Sequence, residues 1–121
     1  MTTNLRNKKI LITGGAGFLG TEVKKILHSE GCVDEDVSVA TYPEFDLRRL
    51  EDCSRAVRGQ EVVFHLAARL AGVKELQEKP GEFFYDNIIM NTQLIEAARH
   101  ADLKKLVFTS TIHSYPKSAP S

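Results

Sequence analysis

Three glycines at three-residue spacing, Gly14, Gly17 and Gly20, stand in the string Thr13-Gly14-Gly15-Ala16-Gly17-Phe18-Leu19-Gly20. The chemistry such a string serves is the holding of phosphate. A sharp turn needs one residue without a Cβ, close approach of a pyrophosphate to the backbone needs a second, and packing of a helix on a strand needs a third. A helix starting there offers unpaired amides and partial positive charge to an anion. Glycine also serves tight turns for purely steric reasons, so the reading depends on placement after a first strand and before an amphipathic helix.

Other reactive side chains are sparse. His65 opens His65-Leu66-Ala67-Ala68, where small residues at the end of a strand leave room for a ligand at the carboxyl edge of a sheet. The histidine itself reads as a satisfied strand residue. Asp46 suits the N-cap of a following helix. Cys32 and Cys53 lie apart without the histidines of a zinc site, and read as buried small hydrophobes with no metal. His28 and His100 read as solvated helix residues.

The elements that must position these groups follow from periodicity. Lys9-Ile10-Leu11-Ile12-Thr13 predicts a first strand, and Leu19, Val23, Ile26 and Leu27 mark one face of the helix behind it, stopping near Gly31. Val37-Ser38-Val39-Ala40 predicts a second strand, followed by a turn at Pro43 and a short extended piece around Phe45 and Asp46. Leu47, Leu50, Cys53 and Val57 predict a helix ended by Gly59, and residues 61–66 a strand buried on both faces. Residues 71–80 read as a polar loop, with Pro80 opening a helix whose core face is Phe84, Ile88, Ile95 and Ala98. Leu106-Val107-Phe108-Thr109 predicts a further strand, and residues 110–121 carry no periodic signal. The alternation predicts an α/β, Rossmann-type parallel sheet with helices on both faces, cut off after about the fifth strand.

Sixteen basic residues balance sixteen acidic ones among 121, which excludes a field able to gather nucleic acid or an anionic membrane. The apolar run Ile10-Leu11-Ile12 is far too short for a signal-peptide core or a membrane span, and the chain reads as cytoplasmic.

The G-x-x-G-x-x-G spacing, with Asp46-Leu47, His65-Leu66-Ala67-Ala68, Asn87, and Thr109-Ser110-Thr111 leading to Tyr115-Pro116 in the same order, resembles the extended short-chain dehydrogenase/reductases, the NAD-dependent epimerase/dehydratase family. Residues 79–87 and 115–120 are most similar to the GDP-L-fucose synthase group within it. The resemblance implies an NAD(P)-binding segment of a nucleotide-sugar epimerase/reductase, with a non-catalytic dinucleotide-binding module as the alternative. It implies cofactor contacts at Gly14, Gly17, Phe18, Leu19, Gly20, Leu66, Ala67 and Ala68, and at Asp46 and Leu47 for adenine. It assigns Thr111 to the substrate oxygen, His113 to acid/base work where the fucose synthases have cysteine, and Asn87 to a supporting relay, against the bland reading of Asn87 as a solvent-facing amide.

The same resemblance implies a Tyr-x-x-x-Lys pair, and the chain has none: Tyr42 is followed four residues on by Asp46, Tyr85 by Ile89 and Tyr115 by Ala119. Residues 1–121 are therefore expected to form the N-terminal NAD(P)-binding segment without the substrate-binding part, inactive alone, with an open apolar strand edge that invites self-association. No acidic residue directly follows the second strand to repel a 2′-phosphate, which favours NADP over NAD. No arginine stands beside Thr41 and Tyr42 to clamp that phosphate.

Overall fold

The computed structural model describes residues 4–111 and Pro116. Four strands, β1 (Ile10–Thr13), β2 (Val37–Ala40), β3 (Val62–His65) and β4 (Lys105–Phe108), form one parallel sheet in the order β2-β1-β3-β4. Helices α1 (Phe18–Ser29), α2 (Leu50–Val57), α3 (Val73–Glu78) and α4 (Pro80–His100) connect them. Register runs Ile10 to Val37 on one side of β1 and Ile10 to Val62 on the other. Because β2 and β3 flank β1, the chain leaves β1 toward one side and later returns to the other. A crevice opens at the carboxyl ends of the strands where it does so.

The strands form where β-branched and aliphatic residues can be covered on both faces. Ile10, Leu11 and Ile12 are at most 2% exposed. Leu11, Val63, Cys53, Val57, Leu94 and Ala97 share a core beneath α2 and α4, and Ile10, Ile12, Val62, Leu27 and Cys32 share another beneath α1. Both cysteines are buried and free. The Cys53 thiol donates to the Leu47 carbonyl at 3.2 Å, and burial pushes its pKa up to about 12. Helix ends obey their residues. Gly31 takes φ +91° just past α1, Gly59 takes φ +74° after α2, and Pro80 sits at the first turn of α4.

Several expectations need correction. The described residues contain four strands rather than about five, because Phe45 and Asp46 lie in a turn-rich connection, Phe45 N donating to the Thr41 carbonyl at 2.9 Å. Residues 71–80 are not a plain loop: they hold α3, a short helix that buries none of its side chains and so leaves no periodic apolar signal. On α4 the buried face is Phe83, Asp86, Leu94, Ala97 and Ala98, whereas Phe84, Ile88 and Ile95 are 69%, 48% and 46% exposed. Apolar residues lie nearly all around this helix, and its packing against α2 selects the face. Leu19 and Ile26 of α1 and Leu50 of α2 are likewise exposed. Asp46 does not cap α2, which begins at Leu50 with Arg49 in the N-cap position.

Candidate functional site

The β1-to-α1 turn shows what each glycine does. Gly14 has φ +68°, and a Cβ there would lie 2.8 Å from the Ala67 amide nitrogen, so turn and β3 extension touch backbone to backbone. A Cβ on Gly20 would meet Gly15 Cα at 2.4 Å, which seats α1 directly on the turn. Gly17 is different. It has φ −79°, and its Cβ would meet only the Gly14 carbonyl oxygen, at 3.3 Å. A side chain at Gly17 would press on one backbone oxygen and meet no other protein atom within 4 Å, and it would project at the edge of the cleft in front of the helix. Gly17 is the N-cap of α1 and no side chain caps it. The first intrahelical bond runs from Thr21 N to the Gly17 carbonyl, so the amides of Phe18, Leu19 and Gly20 precede any carbonyl that could take them.

These groups border a cleft of about 990 Å³ at the carboxyl edge of the sheet. Gly14, Gly17, Phe18, Leu19, Gly20, Asp46, Leu47, Leu66, Ala67 and Ala68, the residues singled out for cofactor contact, all line it. Phe18 is 89% exposed and forms an apolar lip. A wide, mostly apolar cleft with an uncapped helix end at one side fits a ligand that is part diphosphate and part flat ring.

The far wall is built from Asp46 and from three charges that sequence reading missed, Arg48, Arg69 and Asp86. Asp46 accepts from the Arg48 guanidinium at Nε (2.9 Å) and Nη2 (2.7 Å) and from the Arg48 amide (3.1 Å). These bonds hold its carboxyl below the usual range. Asp86 of α4, 7% exposed, receives Arg69, and Arg48 Nη1 also reaches it at 3.4 Å. One buried carboxylate therefore ties two guanidinium groups, each from a loop bordering the cleft. The Arg69 guanidinium also lies over the Phe83 ring at 4.3 Å. Nothing in the sequence pairs residues 48, 69 and 86.

Asn87 is half-buried and not solvent-facing. Its Oδ1 accepts from the Arg69 amide (2.8 Å), and its Nδ2 donates to the carbonyls of Arg69 (2.9 Å) and Phe83 (2.8 Å). This splints the loop after Ala68 to α4. Thr111 is exposed, three residues past β4, and Thr109 rather than Thr111 lines the cleft. His113 lies outside the described residues. Among the described residues no cluster of His, Cys, Asp or Glu could hold a metal ion, and no helix is long and apolar enough to cross a membrane.

Residues 10–121 match the model of the NAD dependent epimerase/dehydratase family. The chain is 31% identical over 117 residues to GDP-L-fucose synthase of Sinorhizobium fredii (strain NBRC 101917 / NGR234), covering 95% of this chain and 36% of that protein. Among solved structures it resembles a UDP-glucose 4-epimerase of Thermus thermophilus in complex with NAD (TM-score 0.70, 34% identity, 84% of this chain and 37% of that one). It also resembles the GDP-mannoheptose C4 reductase MlghC of Campylobacter jejuni with NADP bound (TM-score 0.81, 27% identity, 99% and 34%). The chain spans about a third of the length of the curated relatives it matches.

Proposed function

Because the chain belongs to the NAD dependent epimerase/dehydratase family, we propose that it is the NAD(P)-binding segment of a cytoplasmic nucleotide-sugar epimerase/reductase resembling the GDP-L-fucose synthases. The observation that carries this reading is the uncapped α1 N-terminus at Gly17, which opens onto the cleft and has no side chain between the helix amides and a ligand. The amides of Phe18, Leu19 and Gly20 would take the diphosphate, with the helix dipole favouring its charge. Leu47 and Asp46 would border the adenine, and Leu66, Ala67 and Ala68 would form a floor with no side chain large enough to block the ring system. The turn after β2 brings no carboxylate next to Ala40, which favours NADP over NAD.

A bound nicotinamide dinucleotide supplies hydride exchange with a sugar carbonyl carbon. In the whole enzyme Thr111 would donate a hydrogen bond to that carbonyl's oxygen and His113 would move protons at neighbouring carbons. Asn87, fastened to the Arg69 backbone, would hold the loop that closes the cleft. Residues 1–121 hold no Tyr-x-x-x-Lys pair, so hydride transfer is not expected of them alone.

The test of the site itself is fluorescence titration with NADPH and NADH. Wild type binds, NADPH more tightly, and Gly17→Val loses affinity by more than about tenfold while keeping its melting temperature within the small range of surface substitutions. Equal binding by wild type and Gly17→Val would remove the diphosphate from this turn.

A further inference from the structure

His65 is 1% exposed at the end of β3, one residue before the cleft floor. Its Nδ1 lies 2.7 Å from Thr13 Oγ1 and its Nε2 2.9 Å from Asn91 Oδ1 of α4. Thr13 Oγ1 accepts in turn from the amides of Leu66 (3.2 Å) and Ala67 (3.3 Å). The Leu66 amide is shared with the Thr13 carbonyl, also at 3.2 Å.

Proton counting gives this chain of bonds a direction. A hydroxyl oxygen has two lone pairs and one hydrogen. The two amides occupy the lone pairs, so the hydrogen points at His65 Nδ1, which is bare. Nε2 then carries the ring proton and donates to Asn91. The other neutral tautomer, or the imidazolium, would aim three N–H groups at one oxygen and leave the hydroxyl hydrogen with no acceptor in the set. The Leu66 amide can fall back on the Thr13 carbonyl, whereas the Ala67 amide has no second acceptor in the set, so its position depends wholly on the Thr13 hydroxyl.

We propose that His65, held by Asn91 as its neutral Nε2–H tautomer, is a positioning residue that works through the Thr13 hydroxyl to fix the Leu66 and Ala67 amides beneath the glycine turn. This rests on reading the cleft as a dinucleotide site. The link to the ligand is steric: Gly14 and the Ala67 amide are packed with no room for a Cβ between them, so a displaced Ala67 displaces the turn that starts α1. Thr13 faces the ring from β1, Phe108 from β4 with ring centroids 5.4 Å apart, and Asn91 from α4. None of these is charged. Burial lowers the imidazole from its ordinary 6.5, and the bond to Asn91 opposes this only in part. Dinucleotide affinity is therefore flat above that range and falls as pH drops through the His65 pKa, by at most about tenfold per pH unit.

The experiment has two arms. Nitrogen-15 NMR of the imidazole at neutral pH should show Nε2 protonated and Nδ1 bare, and the Ala67 amide resonance should shift along the His65 titration. A protonated Nδ1, or an Ala67 amide indifferent to the titration, overturns the relay. In the second arm NADPH is titrated against wild type, Asn91→Asp and Thr13→Val over a pH range in which circular dichroism shows each folded. A carboxylate at position 91 stabilises the imidazolium, so the fall in affinity should begin about one pH unit or more higher than in wild type. Thr13→Val should bind several-fold more weakly and without the pH step. Identical pH profiles for wild type and Asn91→Asp reject the proposal. Failure of wild type to bind NADPH at neutral pH would instead reject the dinucleotide reading, and the NMR arm would still decide the relay.

Discussion

Over Leu11 and Val63 the sheet carries two helices, α2 and α4; over Ile10, Ile12 and Val62 it carries one, α1. Leu94, Cys53 and Val63 on the first face have no measurable exposure. On the second face Ile10 and Ile12 are equally well covered, because α1 lies beside them. Further along the same face, Phe64 and Val107 are only half-buried. Neighbouring residues of a strand point to opposite faces, so Val63 and Phe64, adjacent in one strand, have different environments for a reason that lies outside the strand. In β3 the number of helices laid over each face decides how far burial is realised, whereas in β4, at the edge of the described sheet, Leu106 on the two-helix face and Val107 on the other are both only half-buried.

Substitutions can break or sharpen that comparison. Leu94→Ala, beneath two helices, should cost about 2–5 kcal/mol, since a fully buried leucine leaves a cavity that α2 and α4 cannot close. Urea unfolding measures it. Gly14→Ala, where both faces meet the turn, should cost about 1–3 kcal/mol from the left-handed backbone alone, with the clash at the Ala67 amide added. Chemical denaturation should therefore separate it from Gly17→Val, whose penalty falls on binding. Val107→Ala, on the thinly covered part, should cost under about 1 kcal/mol. If thermal melts show Val107→Ala as damaging as Leu94→Ala, the two faces are equivalent and the difference drawn between them is wrong.

The glycine string, the alternation of strand and helix and the small residues after His65 are legible in the sequence because each follows from local chemistry: a positive φ at Gly14, a two-sided strand, an open cleft at the carboxyl edge of the sheet. The same chemistry places the strands to within a residue at each end. The α4 face is not legible, because Phe84, Tyr85, Ile88 and Ile95 form as good an apolar stripe as Phe83, Leu94 and Ala97. Choosing between them requires knowing where α2 lies. α3 escapes notice because a six-residue helix with no buried side chain has no pattern to show. Asp46 reads as a cap because the residue type suits one. Its actual partner, Arg48, is only two positions on, but whether a carboxylate turns to an arginine or to a helix end is settled by the path of the loop. Asp86 is invisible for a stronger reason: a carboxylate on the buried side of a helix looks like an error in the pattern until Arg48 and Arg69 arrive from elsewhere in the chain.

The pairing at Asp86 also separates two responses to added salt. Pairs such as Lys25 with Glu22, 67% and 48% exposed, are weakened by counterions within a Debye length of about 8–10 Å. The Asp86 side chain is 9% exposed, with Arg69 and Arg48 at 35% and 40%, and is screened less, so the cleft wall should keep its shape at ionic strengths that weaken the surface pairs. Any loss of dinucleotide affinity with rising potassium chloride would then report on the attraction between the ligand's phosphates and the open end of α1, not on a collapsing pocket.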